Sequence, residues 1–180
     1  MITIGFIGTG NMGTAIIKGI AGSAFSSSVS LFATDTDCKK VDALSIYNVK
    51  NCESAKELVK NCKYVFLAVK PQMIEEVLND ISSDVSEDTV MVSIAAGITG
   101  EYIQSKTIPT AKVILVMPNT PLLLGEGASA LSKLDTVLDD EFKLVCDVFS
   151  SCGEIAVIGK DKMKEIIAIN GSSPAFIYLF

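Results

Sequence analysis

The 180 residues contain no histidine, no tryptophan and no arginine. A Ser-His-Asp triad, a Cys-His nucleophile pair and a His-ligated metal centre are thereby excluded within this chain, and no metal site is expected. Positive charge is scarce as well. Lysine supplies all 15 cations against 21 acidic residues, for a net charge of −6, and the lysines form no cluster. Neither nucleic acid nor an anionic membrane is an expected partner. No apolar run approaches the length of a bilayer span. The N-terminus lacks the basic region of a signal peptide, so a soluble, cytoplasmic protein is expected. Cysteine is present but unpatterned: Cys38, Cys52, Cys62, Cys146 and Cys152 show no CxxC spacing. Their odd number excludes a complete disulfide framework and points to reduced thiols.

What the chain does have is apolar residues, 49% of the total, with a mean hydropathy of +0.44. That suits a buried parallel sheet whose strands are apolar on both faces. The length allows one well-buried domain and the start of a second. The first dozen residues carry the main motif. An apolar run from Ile2 to Ile7 leads into Gly8-x-Gly10-x-x-Gly13, and Thr14 to Ile20 reads as a helix. Strand, glycine turn and helix start in this order form the dinucleotide-binding fingerprint. The first glycine permits the tight turn, the second admits a pyrophosphate against backbone, and the third lets helix and strand pack closely. The phosphates then meet unpaired N–H groups at the helix start.

Further along, Val29–Ala33 reads as a strand, Cys38–Leu44 and Glu53–Lys60 as short helices, and Tyr64–Val69 as a buried strand stopped by Lys70-Pro71. Met73–Ile81 is a helix, Thr89–Ile94 a strand and Ile98–Lys106 a short helix. Lys112–Val116 is a strand that breaks at Met117-Pro118-Asn119-Thr120-Pro121. Gly125–Leu131 is expected as a strand, Leu138–Ser151 as an amphipathic helix, and Gly153–Ile158 as the last strand. From about Lys160 the pattern turns helical, is interrupted at Asn170–Pro174, and resumes to Phe180 as an apolar segment. The expected architecture is α/β, a Rossmann-type, doubly wound and mostly parallel sheet over residues 1–159. Residues 160–180 are expected to begin an all-helical domain that continues beyond this chain.

In such sheets ligands bind outside the carboxyl ends of the strands. The glycine turn, Thr34-Asp35, Lys70-Pro71, Ala96-Gly97 and Met117-Pro118-Asn119 all fall at such ends. Asp35 lies about twenty residues past the glycine turn, where an acid accepts from a ribose 2′-hydroxyl. It could equally cap the following helix, as could Asp37. If Asp35 faces the ribose, NAD is favoured. If Thr34 and Thr36 line the pocket with Lys39 nearby, hydroxyls and an ammonium could hold the 2′-phosphate of NADP, despite the absence of arginine.

In series, GFIGTGNMG (Gly5 to Gly13), LAVKPQ (Leu67 to Gln72), SIAAGIT (Ser93 to Thr99), VMPNTPLLLGEGASAL (Val116 to Leu131) and NGSSPAF (Asn170 to Phe176) resemble the 1-pyrroline-5-carboxylate reductases of proline biosynthesis. The resemblance covers the whole chain in order. It implies a nicotinamide cofactor, NADPH in first place and NADH as the alternative. It places Ile7, Gly8, Thr9, Gly10, Asn11, Met12 and Gly13 at the pyrophosphate, and Thr34 at the adenosine ribose or its phosphate. Ala68, Val69, Lys70, Pro71, Ala96 and Gly97 would lie along the nicotinamide half. It also implies that a helical second domain dimerises and grips an imine substrate, so that a homo-oligomer is expected for the full-length enzyme. The chain departs from the family pattern at Leu115, where arginine is common, at Ala55, where asparagine is common, and in its thinned Gly171-Ser172-Ser173-Pro174.

Reducing a cyclic imine needs a hydride and a proton on nitrogen, and the imine can arrive protonated, so the lack of histidine is no obstacle. Lys70 and Asn119 are the candidate catalytic side chains. Lys70 either assists the substrate carboxylate or cofactor, or is a solvated strand-end lysine. Asn119 either hydrogen-bonds near the nicotinamide or shapes its loop. Ser172 and Ser173 are candidates for substrate contact, with helix capping before Pro174 the competing role. The other readings are a non-catalytic NAD(P)-binding module and a reductase related to the 3-hydroxyacid dehydrogenases. By itself the chain is expected to bind cofactor with little turnover.

Overall fold

A computed structural model describes residues 1–172, with side chains described as far as residue 170. One sheet of eight strands runs through it in the order β3-β2-β1-β4-β5-β6-β7-β8. The strands are β1 (Ile2–Ile7), β2 (Val29–Thr34), β3 (Lys50–Asn51), β4 (Tyr64–Leu67), β5 (Val90–Ser93), β6 (Lys112–Met117), β7 (Gly127–Lys133) and β8 (Gly153–Val157). The first six are parallel and follow the dinucleotide-binding order, reversing direction of growth between β1 and β4. β7 turns back antiparallel to β6, and β8 runs parallel to β7.

Alternate strand residues feed the two faces, as the pleat demands. Helices α1 (Asn11–Gly22), α2 (Cys38–Asp42) and α6 (Asp139–Ser150) cover one face. There Phe6, Phe66 and Phe149 stack in series, with ring centroids 4.7 and 6.2 Å apart. Helices α3 (Ala55–Asn61), α4 (Ile74–Ile81) and α5 (Gly100–Lys106) cover the other, against Val65, Leu67, Met91 and Val113. Met163 of the short helix α7 (Met163–Ile166) joins this second cluster. Among the described residues no helix is long and apolar enough to cross a membrane.

Several boundaries differ from the sequence expectation. β3 has no apolar pattern to betray it: both of its residues are exposed, and pairing with Phe32 and Ala33 alone makes it a strand. α5 begins at Gly100 because the Thr99 hydroxyl accepts the Tyr102 N–H at 3.1 Å and caps it. β7 starts at Gly127, after a 3₁₀ turn over Thr120–Leu124 that closes on the left-handed Gly125. The helical path is unbroken at Asn170; it widens into a π turn over Ile167–Ser172. Ser173 and Pro174 lie outside the described residues.

Candidate nucleotide-binding site

The glycine turn is built by contacts that leave little choice of residue. Gly8 has φ +98°, and a Cβ there would stand 2.7 Å from the Ala68 carbonyl oxygen. A Cβ on Gly13 would stand 2.5 Å from the Gly8 oxygen, so α1 can approach the turn only with glycine at this point. At Gly10 a Cβ would meet nothing within 4 Å. The first and third glycines therefore serve the protein's own packing, and the second faces open space.

That space lies at the start of α1. No side chain caps this helix and no acidic residue occupies its first turn. The first intrahelical bond runs from the Thr14 N–H to the Gly10 carbonyl at 2.9 Å, which leaves Asn11, Met12 and Gly13 N–H groups at the helix end. With the positive end of the helix dipole they form an anion cradle. Two earlier N–H groups are used elsewhere: Gly8 donates to the Thr34 carbonyl at 2.9 Å, and Thr9 donates to Asp35.

Asp35 ties the turn to the end of β2. Its Oδ2 accepts the Thr9 N–H at 2.7 Å and the Thr9 hydroxyl at 3.0 Å, while Oδ1 accepts the Asp37 N–H at 3.0 Å. Burial opposes its charge, but these donors and Lys40 outweigh it and hold the carboxyl below the usual range. Capping of α2 falls to Asp37, whose Oδ1 accepts the Lys39 N–H at 3.2 Å.

A cavity of about 400 Å³ runs outward from the turn. Of the residues singled out in the sequence, Ile7, Gly8, Gly10, Thr34, Asp35, Ala68, Val69 and Lys70 line it. Thr9 and Gly13 are buried behind it, Met12 packs against the core, and Asn11 and Pro71 are exposed beside it. Ala96 and Gly97 stand at the end of β5, and Gly97 lines a second cavity of about 560 Å³ beside α5 and α7. The cleft also takes in Thr36, Lys40, Glu53, Met73 and Val77. Thr36 was legible only as one option, and Lys40 stands there in place of Lys39. Met73 and Val77, four residues apart on the way into α4, could have been found as an apolar helical pair facing the strand ends.

Lys70 is exposed at the end of β4, followed by Pro71 in a 3₁₀ turn. The Asn119 Oδ1 accepts the Ala128 N–H at 2.9 Å, so this side chain braces the start of β7. Asn170 does the same from the other side: its amide donates to the carbonyls of Met117 and Ala128 at 3.0 and 3.1 Å. Ser172 has its backbone in the π turn, and Ser173 lies outside the described residues.

Comparison with known proteins agrees with this geometry. Residues 3–97 match the family described as NADP oxidoreductase, coenzyme F420-dependent. The chain is 34% identical to the Escherichia coli pyrroline-5-carboxylate reductase over 180 residues, covering 98% of this chain and 66% of that protein. It is 30% identical to the Corynebacterium melassecola pyrroline-5-carboxylate reductase, covering 99% of this chain and 67% of the relative. The chain belongs to the pyrroline-5-carboxylate reductase family. It spans about two thirds of the length of these relatives. Among solved reductases, the Plasmodium falciparum pyrroline carboxylate reductase with NADP bound superposes with a TM-score of 0.85 at 32% identity, over 99% of this chain and 66% of that one. Two of the three departures from the reductase pattern face cavities: Ala55 lines the cleft beside the glycine turn, and Leu115 lines the larger cavity beside α5.

Proposed function

We propose that this chain is the cofactor-binding part of an enzyme that reduces 1-pyrroline-5-carboxylate to proline, with NADPH as hydride donor and NADH as the alternative. One observation carries the reading: open space at Gly10 beside the uncapped α1 N-terminus, in a chain of the reductase family. Asn11, Met12 and Gly13 N–H groups would hold the pyrophosphate, and Thr34, Thr36 and Lys40 would surround the adenosine ribose. Ala68, Val69, Lys70 and Pro71 at the end of β4, with Ala96 and Gly97 after β5, would border the nicotinamide half. The bound dinucleotide supplies the hydride; the chain's own work is to fix its orientation and exclude water on the sheet side.

Lys70 offers a cation near the substrate carboxylate, and Ser172 and Ser173 offer hydroxyls to it. Asn119 orders the loop that follows β6. Residues 160 onward begin a helical domain that, in the full-length enzyme, completes the substrate site and joins two or more copies. The substrate is a small imine, nucleic acid plays no part, and the enzyme works in the cytoplasm.

The test follows NADPH and NADH oxidation with pyrroline-5-carboxylate, on this chain and on a form extended through the helical domain. The extended form should turn over and the 180-residue chain should bind cofactor with little turnover. Cofactor binding by the extended form without imine-dependent oxidation would defeat the reading.

A further inference from the structure

We propose that Asn170 is a positioning residue for imine reduction. With Asn119 it replaces a missing rung of the β6–β7 ladder and so fixes the loop that leaves β6 at the ligand rim. The inference rests on the reductase reading above, and it names the side chain through which the helical segment acts on that loop.

The register of the antiparallel strands pairs Met117 with Ala130, and two residues further on it sets Asn119 opposite Ala128. Along β7 the backbone turns alternately to its two neighbours. The Gly127 N–H donates to the Cys152 carbonyl at 3.0 Å, and the Leu131 carbonyl accepts the Ile158 N–H at 2.9 Å, both on the β8 side. The N–H and C=O of Ala128 therefore face β6. There the Leu134 N–H meets the Val113 carbonyl at 3.0 Å. Counted in twos from that pair, Asn119 and Ala128 stand where two backbones exchange both bonds. They do not exchange them, because the Asn119 carbonyl has turned into the 3₁₀ turn and accepts the Leu122 N–H at 3.2 Å. Side chains make both bonds instead. The Asn119 Oδ1 accepts the Ala128 N–H at 2.9 Å, and the Asn170 amide donates to the Ala128 carbonyl at 3.1 Å.

A side-chain amide has two N–H donors, and the same Asn170 nitrogen also reaches the carbonyl of Met117, the last residue of β6, at 3.0 Å. One side chain thus ties both strands at the point where Met117-Pro118-Asn119 departs. Asn170 is presented by the π turn, a widening of the helix that recurs at functional sites. The segment leading to it is anchored by the buried Met163. The loop it holds lies at the carboxyl end of β6, where such sheets hold their ligands. These bonds go to β6 and β7 and leave the anion cradle at α1 alone. A misplacement of about 1 Å in a reacting pair can slow it about a hundredfold. Loss of Asn170 therefore slows hydride transfer more than it weakens dinucleotide binding.

Two measurements on variants shown to be folded by circular dichroism test this. Asn170→Ala removes both donors, and Asn170→Asp removes them while keeping the shape. In the 180-residue chain, hydrogen exchange followed by NMR should show the Ala128 amide exchanging about tenfold or more faster in each variant. Amides in the middle of β1 and β4 should keep their native rates. An unchanged Ala128 rate overturns the rung. In the form extended through the helical domain, each variant should lower kcat about tenfold or more, with KM for NADPH within about twofold. Asn119→Ala should act likewise, and the double variant with Asn170→Ala should fall little below the slower single variant, since both act on one rung. A kcat close to native, a KM for NADPH that rises in its place, or losses that multiply in the double variant overturns the positioning role. A native extended form that binds NADPH without imine-dependent oxidation defeats the reductase reading, and the positioning role with it. The Ala128 exchange rates involve no turnover and decide the rung in either case.

Discussion

The Thr9 N–H and hydroxyl both donate to one oxygen of Asp35, 26 residues away, at 2.7 and 3.0 Å. This pair locks the glycine turn after β1 to the end of β2. It gives the carboxylate a folding role as well as a place in the cleft.

Asp35→Ala should cost about 1–3 kcal/mol, because the Thr9 and Asp37 donors lose an ionised acceptor. The sign of the pH dependence follows from the lowered folded-state pKa. The contribution is complete above the ordinary carboxylate value of 3.8 and fades as pH falls through the folded value. Urea midpoints of the native chain and Asp35→Asn should therefore differ most near neutrality and converge in acid. A gap that widens below roughly pH 4 would contradict the assignment.

Gly10→Ala and Gly13→Ala should separate binding from folding. An alanine at Gly10 meets no protein atom within 4 Å, so the unfolding free energy should change by only a few tenths of a kcal/mol, while NADPH affinity falls about tenfold or more. An alanine at Gly13 meets the Gly8 oxygen at 2.5 Å and should destabilise the fold by about 1–3 kcal/mol. Equal losses of stability in the two variants would mean that the space beside Gly10 is not open.

Glu141 sits at the opposite ends of the strands, beside the starts of β4 and β6. Its buried Oε1 accepts from Lys112 at 2.8 Å and Lys63 at 3.2 Å, and Oε2 accepts the Leu138 N–H at 3.2 Å. Burial opposes the charge, yet the Lys112, Leu138 and Lys63 donors together lower its pKa. Glu141→Ala should cost about 3 kcal/mol, since it leaves the largely buried Lys112 ammonium without its partner, while the half-exposed Lys63 can turn to water. Cofactor affinity of the folded fraction should change less than about twofold, because the site is at the other ends of the strands. A large loss of affinity in folded protein would refute this.

Thiol chemistry should single out Cys38, the exposed cysteine at the start of α2. Cys52, Cys62 and Cys152 are buried, and burial, with some repulsion from Cys52, pushes the Cys62 thiol up to about 12. Native protein at mildly alkaline pH should show one fast thiol with a disulfide reagent, and denaturant should release the rest. Mass mapping that places the fast adduct on Cys62 would be incompatible with this packing.

Much of the molecule was legible in advance because it is local. The apolar runs at Ile4–Ile7, Tyr64–Leu67 and Val113–Met117 are apolar on both sides of the pleat, which only a doubly covered strand requires. Gly8-x-Gly10-x-x-Gly13 between strand and helix marks the anion cradle for the same reason: its geometry is a matter of consecutive residues. β3 was hidden, since two exposed residues have no pattern of their own. Glu141 was hidden too, since a carboxylate is placed inside only by lysines 29 and 78 positions earlier in the chain.

The sequence by itself determined the strand-turn-helix at the N-terminus, the order of the strands and helices other than β3, and the family, because each rests on short-range spacing or on motifs in series. It left Asp35 and Asp37 as equal candidates for the α2 cap and Asn119 between loop and chemistry. Only the tertiary structure decided that Asp37 caps, that Asp35 is held by Thr9, and that Asn119 accepts from Ala128. The physical reason is distance: a side chain's role depends on which donors reach it. For Asp35 the deciding donor sits on another strand's turn, brought within 2.7 Å only when β1 and β2 pair.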